Sequence, residues 1–245
     1  MLVQGTLAKR ENRNVATMRR KPATATERIR LKRRQFSSLA ATAALGLGLH
    51  RGASAQGDTP ITAADYTRMG TPVPVSTPPG TVDVVEFFSY ACPHCFEFEP
   101  TLEAWLKRKA PEIRFRRSPV PFLQNFRNFQ PMYFALESLG VVDAMQQKIF
   151  NAFHLEHQRL DKPDDIAAFV ARNGVDAKKF MAAFSSFGTS VKVSQANQLF
   201  QNSGVDGVPT IMIQGRFLTS PVLTKSETKT VAVVDYLAAQ IRAGH

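Results

Sequence analysis

EFFSYACPHCFEFEP, Glu86 to Pro100, holds both cysteines of this 245-residue chain, Cys92 and Cys95, separated only by Pro93 and His94. The residues before it, TVDVVEFF (Thr81 to Phe88), are β-branched and apolar enough for a buried strand, and those after it have helical character up to Pro111. The pair therefore falls at a strand-to-helix junction. Cys92 is expected in the first turn of the helix, where unpaired backbone N–H groups and the positive end of the helix dipole favour a thiolate. It is expected to be exposed, and to be the sulfur that attacks or is attacked. Cys95, one turn on and facing inward, closes and opens a disulfide with it. Pro93 suits a helix start, since its missing N–H has no partner there anyway. His94 is a candidate donor or positive charge beside the Cys92 sulfur, against the plainer reading of a solvated helix residue.

Redox chemistry explains this spacing better than its competitors. A disulfide closing so short a loop removes little unfolded-state entropy and makes a poor brace. Zinc wants about four ligands, and the neighbourhood offers only Cys92, Cys95 and His94. Haem attachment wants His directly after the second cysteine, where Phe96 stands.

The net charge of +11 comes from one end of the chain. Met1 to Ala55 holds 12 of the 31 Lys and Arg and two of the 20 Asp and Glu, which leaves 19 basic and 18 acidic residues for the remainder. A nearly neutral folded part gives no support for a nucleic-acid partner. The basic leader is ordered: RIRLKRRQF, then the uncharged run SSLAATAALGLGL, then HRGASAQ. This three-part pattern reads as an export signal over 1–55, cut near Ala55-Gln56, with Met18 as an alternative start. The apolar run is too short to span a bilayer, so the mature chain is not expected to be membrane-embedded. Arg33-Arg34-Gln35-Phe36 is similar to the twin-arginine export signature, and ordinary secretion stays open. Export exposes thiols to oxidation, which fits a working disulfide.

At these residues the chain resembles the DsbA family of exported thiol oxidases, members of the thioredoxin superfamily. The Cys-Pro-His-Cys core matches that family's own, and Pro100 stands where thioredoxins carry the proline that kinks the active-site helix. GVDGVPTIMIQGRFLTSP resembles the family's cis-proline segment, with Val208-Pro209 at the bend, a strand over Ile211 to Gln214, and Gly215 in a turn to a further short strand. The resemblance implies an α/β thioredoxin fold carrying an inserted helical domain. It also implies that the Pro209 loop faces Cys92 and offers backbone hydrogen bonds to an extended substrate peptide. The expected organisation is an N-terminal arm over 56–79, a thioredoxin-like domain over 80–123 and 196–245, and a helical insertion over 124–195.

Helical patterns fill that insertion. In DKPDDIAAFVARNGV, Asp161 is a candidate N-cap and Gly174 the stop. Others are QPMYFALESLG, VVDAMQQKIFNAFHLEH, DAKKFMAAFSS and KVSQANQLFQNSG, and VAVVDYLAAQIRA closes the chain as a helix on the sheet. Glu86 is a lone acid in an apolar strand. It either points to solvent or, as the resemblance implies, lies beneath the active site near Cys95, where a raised pKa lets it move protons. Phe122, Phe126, Phe129, Tyr133 and Phe134 could line a substrate groove, but core packing is the expected use of most of them. His154, Glu156 and His157 are read as a solvated helix end rather than a metal site.

The expected activity is a periplasmic thiol:disulfide oxidase that passes the Cys92-Cys95 disulfide to reduced, unfolded exported proteins through a mixed disulfide. Its expected partners are those substrates and a membrane quinone-linked oxidase of the DsbB type. No soluble cofactor and no metal are expected, and the protein is expected to be a monomer. Two alternatives use the same motif: a disulfide isomerase or reductase, and a non-catalytic binding or chaperone module.

Overall fold

The computed structural model describes residues 60–121 and 124–244. The export signal, the first residues of the arm and Phe122 lie outside the described residues. At the centre stands β2 (Val82–Phe88), all seven residues of which are buried. It pairs in parallel with β3 (Ile113–Pro119) and antiparallel with β4 (Thr210–Ile213). β4 pairs with β5 (Phe217–Thr219), and β5 pairs with β1 (Thr67–Arg68). The sheet order is β1-β5-β4-β2-β3. The arm thus supplies an edge strand. Two residues of TR carry no alternating pattern, so β1 has no signature of its own.

Period-two alternation divides β2 between two cores. Val82 and Val84 pack with Phe98, Leu102 and Trp105 of α1 (Pro93–Leu106), and with Val231 and Val234 of α8 (Glu227–Arg242). Trp105 Nε1 donates to Asp235 Oδ1 at 2.8 Å, joining these two helices by a polar contact at the rim of an apolar layer. Val85 and Phe87 face the other way, onto Met212, Val205 and the end of α6 (Phe187–Ser203).

Between β3 and β4 run α2 (Phe129–Ser138), α3 (Val142–His154), α4 (Pro163–Arg172), α5 (Ala177–Phe184) and α6. Their core includes Phe129, Tyr133, Phe134, Phe150 and Phe180, and it reaches Phe88, Tyr90 and both cysteines. Phe126, Phe129, Tyr133 and Phe134 therefore serve packing. The N-cap of α4 is Lys162, not Asp161, with Pro163 at the first helical position. The Asp161 carboxylate instead meets Arg159 at 3.0 Å. A short helix α7 (Pro221–Thr224) connects β5 to α8. Among the described residues no helix is long and apolar enough to cross a membrane.

Candidate active site

The turn Ser89–Cys92 carries the chain from β2 into α1. Cys92 is the N-cap, with extended backbone (φ −87°, ψ 118°), and Pro93 opens the helix. Its N–H donates to the Ser89 carbonyl at 3.0 Å. Both cysteines are free thiols in this structure. Cys92 is not exposed as the sequence suggests, for only 2% of its surface reaches solvent. Across from it the Val208-Pro209 peptide is cis, and the Val208 carbonyl oxygen lies 3.3 Å from the Cys92 sulfur. A loop 116 residues downstream supplies this cover.

The Cys92 thiol is pulled down to about 6. The Cys95 thiol hydrogen bond contributes most; burial opposes it, and the backbone N–H groups of Cys95 and His94 and then the His94 charge add to it. Cys95 is pushed well above the ordinary thiol range, first by burial and then by donating to Cys92. One sulfur is thus favoured as anion and the other as thiol. His94 contributes differently from expectation. Its imidazole is largely exposed and its Nδ1 lies 2.9 Å from Glu97 Oε2, so its backbone N–H outweighs its ring as a support for the thiolate. That carboxylate raises the His94 pKa and supplies a counter-charge to the ring.

Glu86 is fully buried on the α1 face of the sheet. The β2–β3 register sets Arg117 beside it, and Arg117 Nε donates to Glu86 Oε2 at 3.1 Å. Arg117 Nη2 also reaches Glu99 Oε1 at 2.6 Å and Glu103 Oε1 at 2.9 Å. One guanidinium faces three carboxylates, of which Glu86 and Glu99 are buried and Glu103 half-buried, and burial raises the pKa of both Glu86 and Glu99 toward neutrality. Glu86 Oε1 has no hydrogen-bond partner. Glu99 continues through Gln146 to the Tyr90 hydroxyl, which donates to Gln146 Oε1 at 2.6 Å.

Sequence reasoning missed Arg117, Glu99, Glu103 and Gln146. The alternation of IRFRRSP was the available signal, since it turns Arg117 to the face that Glu86 occupies. His154 is no solvated helix end either: its Nε2 lies 2.8 Å from the Tyr90 carbonyl oxygen and its ring stacks on Phe96. Among the described residues no cluster of three or more His, Cys, Asp or Glu side chains could hold a metal ion.

The chain is similar to known proteins over most of its length. The DSBA-like thioredoxin domain matches residues 83–225. The thiol:disulfide interchange protein DsbA of Burkholderia cepacia is 42% identical over 208 residues, covering 84% of this chain and 98% of that protein. The crystal structure of Pseudomonas aeruginosa DsbA superposes with a TM-score of 0.69 at 35% identity, over 74% of this chain and 93% of that one. The structure of Xylella fastidiosa DsbA gives 0.68 at 30% identity, over 75% and 98%. A sulfur biased toward the anion at a helix start and a family model spanning more than half of the sequence lead to one assignment: the chain belongs to the DSBA-like thioredoxin domain family and is a thiol:disulfide oxidoreductase.

Proposed function

We propose that this protein is a periplasmic disulfide donor, oxidising reduced, unfolded proteins after their export. The observation that carries this reading is the opposed bias of the two sulfurs, Cys92 toward thiolate and Cys95 toward thiol. Whatever stabilises the Cys92 thiolate stabilises the reduced enzyme and makes its disulfide more oxidising.

The reaction starts from the Cys92-Cys95 disulfide. A substrate thiolate attacks the Cys92 sulfur, forming a substrate–Cys92 bond as the bond to Cys95 breaks. The Cys95 thiolate takes up a proton, as its raised pKa demands, and we assign its supply to Glu86, whose charge acts on Cys95 and whose pKa burial raises to about 7. A second substrate thiolate then attacks the substrate sulfur of the mixed disulfide and expels Cys92 as a thiolate. The substrate loses two electrons and two protons, and the enzyme retains the dithiol.

Beside Cys92 the segment Val205–Thr210 borders a groove of about 490 Å³, whose far side includes Leu218, Val222 and Leu223. Val222 is 66% exposed. An extended peptide fits such an apolar trough with its backbone against Val208 and Pro209. Reoxidation falls to a membrane quinone-linked oxidase of the DsbB type, and the mature chain, cut near Ala55-Gln56, acts as a monomer. Mixing the disulfide form with a reduced, unfolded protein tests the reading. Rapid loss of two substrate thiols per enzyme is expected; reshuffling of scrambled disulfides without net oxidation would make it an isomerase, and no exchange a binding module.

A further inference from the structure

The Tyr90–Ala91 peptide plane, immediately before Cys92, is held at both ends. The His154 Nε2 nitrogen lies 2.8 Å from the Tyr90 carbonyl oxygen. The Ala91 N–H donates to the Ser89 hydroxyl at 3.2 Å. A trans peptide points its carbonyl and its N–H in opposite directions, so the two contacts clamp one rigid plane. Since a carbonyl only accepts, the proton of the neutral imidazole sits on Nε2.

The clamp is anchored from elsewhere in the fold. His154 lies in the last turn of α3, 64 residues along the chain from Tyr90. Its ring stacks on Phe96 at 5.0 Å with a 12° interplanar angle, and Phe150 and Phe153 pack around it. Burial lowers its pKa, which favours the neutral ring. Phe96 in turn starts the second turn of α1, its N–H bonded to the Cys92 carbonyl. His154 therefore grips both sides of Cys92, the peptide before it and the first helical turn after it.

We propose that His154 is a positioning residue for the Cys92 thiolate, holding the Tyr90 carbonyl so that the sulfur enters α1 aligned with the N–H groups of His94 and Cys95. This rests on Cys92 being the reacting sulfur. Freeing one end of the plane lets Cys92 tilt away from those donors, and the thiolate loses part of their support. The Cys-Pro-His-Cys spacing does not involve this residue, because it arrives from α3.

The test titrates the Cys92 thiolate and measures the equilibrium constant with glutathione in four variants. His154→Phe keeps an aromatic ring for the stack and loses the donor. It should raise the Cys92 midpoint by about half to one unit and weaken the disulfide as an oxidant about three- to tenfold, tenfold being about 30 mV. His154→Gln can still donate an N–H and should return both readings to within about twofold of the parent. Ser89→Ala, acting on the other end of the plane, should shift them in the same direction, and the His154→Phe/Ser89→Ala double variant should add little. A folded His154→Phe protein with an unchanged midpoint would overturn the proposal, as would equal shifts in His154→Phe and His154→Gln. If His154→Phe does not fold, Ser89→Ala decides, and an unchanged midpoint there overturns it. The titration needs no protein substrate, so it reads the clamp independently of whether the enzyme works as an oxidase.

Discussion

The Cys92 sulfur and the Val208 carbonyl oxygen lie 3.3 Å apart, across the gap between the active-site helix and the cis-proline loop. As a thiol, Cys92 donates to that carbonyl; as a thiolate it cannot. Ionisation therefore frees an acceptor beside the reacting sulfur, where a substrate backbone N–H can take it up. Cys95→Ser, which blocks the return attack, should accumulate mixed disulfides with reduced substrates. Cys92→Ser should abolish both oxidation and trapping. Non-reducing electrophoresis checks both, and full activity in either variant would contradict the assigned roles.

His94 supports the thiolate more through its backbone N–H than through its ring. His94→Ala keeps the N–H and should raise the Cys92 midpoint by less than about one unit, a smaller change than Cys95→Ala, which removes the thiol hydrogen bond that contributes most. Thiolate absorbance against pH gives the order directly. A larger shift in His94→Ala would return the ring to the leading role.

The dithiol and disulfide forms should differ in stability in a pH-dependent way. Cys92 ionises near 6 when folded, against an ordinary 9.0. A lowered pKa contributes stability that is complete above the unfolded value and lost as pH falls through the folded one. The dithiol form should therefore gain on the disulfide form between about pH 6 and pH 9, by at most about 1.4 kcal/mol per unit, and not below pH 6. The raised pKa values of Glu86 and Glu99 act in the opposite direction and are common to both forms, apart from the small part that the Cys92 charge adds at Glu86; Cys95, raised above 9.0, opposes the gain only from about pH 9 upward. Denaturant unfolding of each form across this range is the measurement.

Arg117→Met should destabilise the fold by about 3–5 kcal/mol near neutral pH, because it strands the buried Glu86 and Glu99 carboxylates. Without the guanidinium their pKa values rise further, so the loss should grow as pH rises and shrink in acid. A pH-independent loss would point to packing alone.

Gly215→Ala tests the arm. Gly215 has φ +59°, and an added Cβ would meet the Val73 carbonyl at 2.0 Å. The strand turn and the arm cannot both keep their places, so unfolding should occur about 1–3 kcal/mol sooner. The Cys92 titration should be unmoved, since Gly215 follows the end of β4 that pairs with Val84, the far end of β2 from Cys92.

Local pattern carried the readings that succeeded. β-branched TVDVVEFF became β2, and the cysteine spacing with Pro93 put the pair at the start of α1. Long-range partners account for the misses. Cys92 is covered by a loop 116 residues away, and nothing in CPHC encodes that shielding. Arg117 is one of three arginines in IRFRRSP, and the register of β3 on β2 is what sets it against Glu86. His154 looked solvated because its partners, Tyr90 and Phe96, belong to another element. A buried acid can be suspected from one strand, and alternation can turn Arg117 to its face, but only the register sets the two side by side.

The ionisation of Cys92 in the reduced protein tests the central claim most directly. Thiolate absorbance of the parent, corrected with Cys92→Ser, should show a single midpoint near 6, about three units below an ordinary thiol. A midpoint between 8 and 9 would contradict the account, since a sulfur with no preference for the anion gives its disulfide no reason to be surrendered to a substrate.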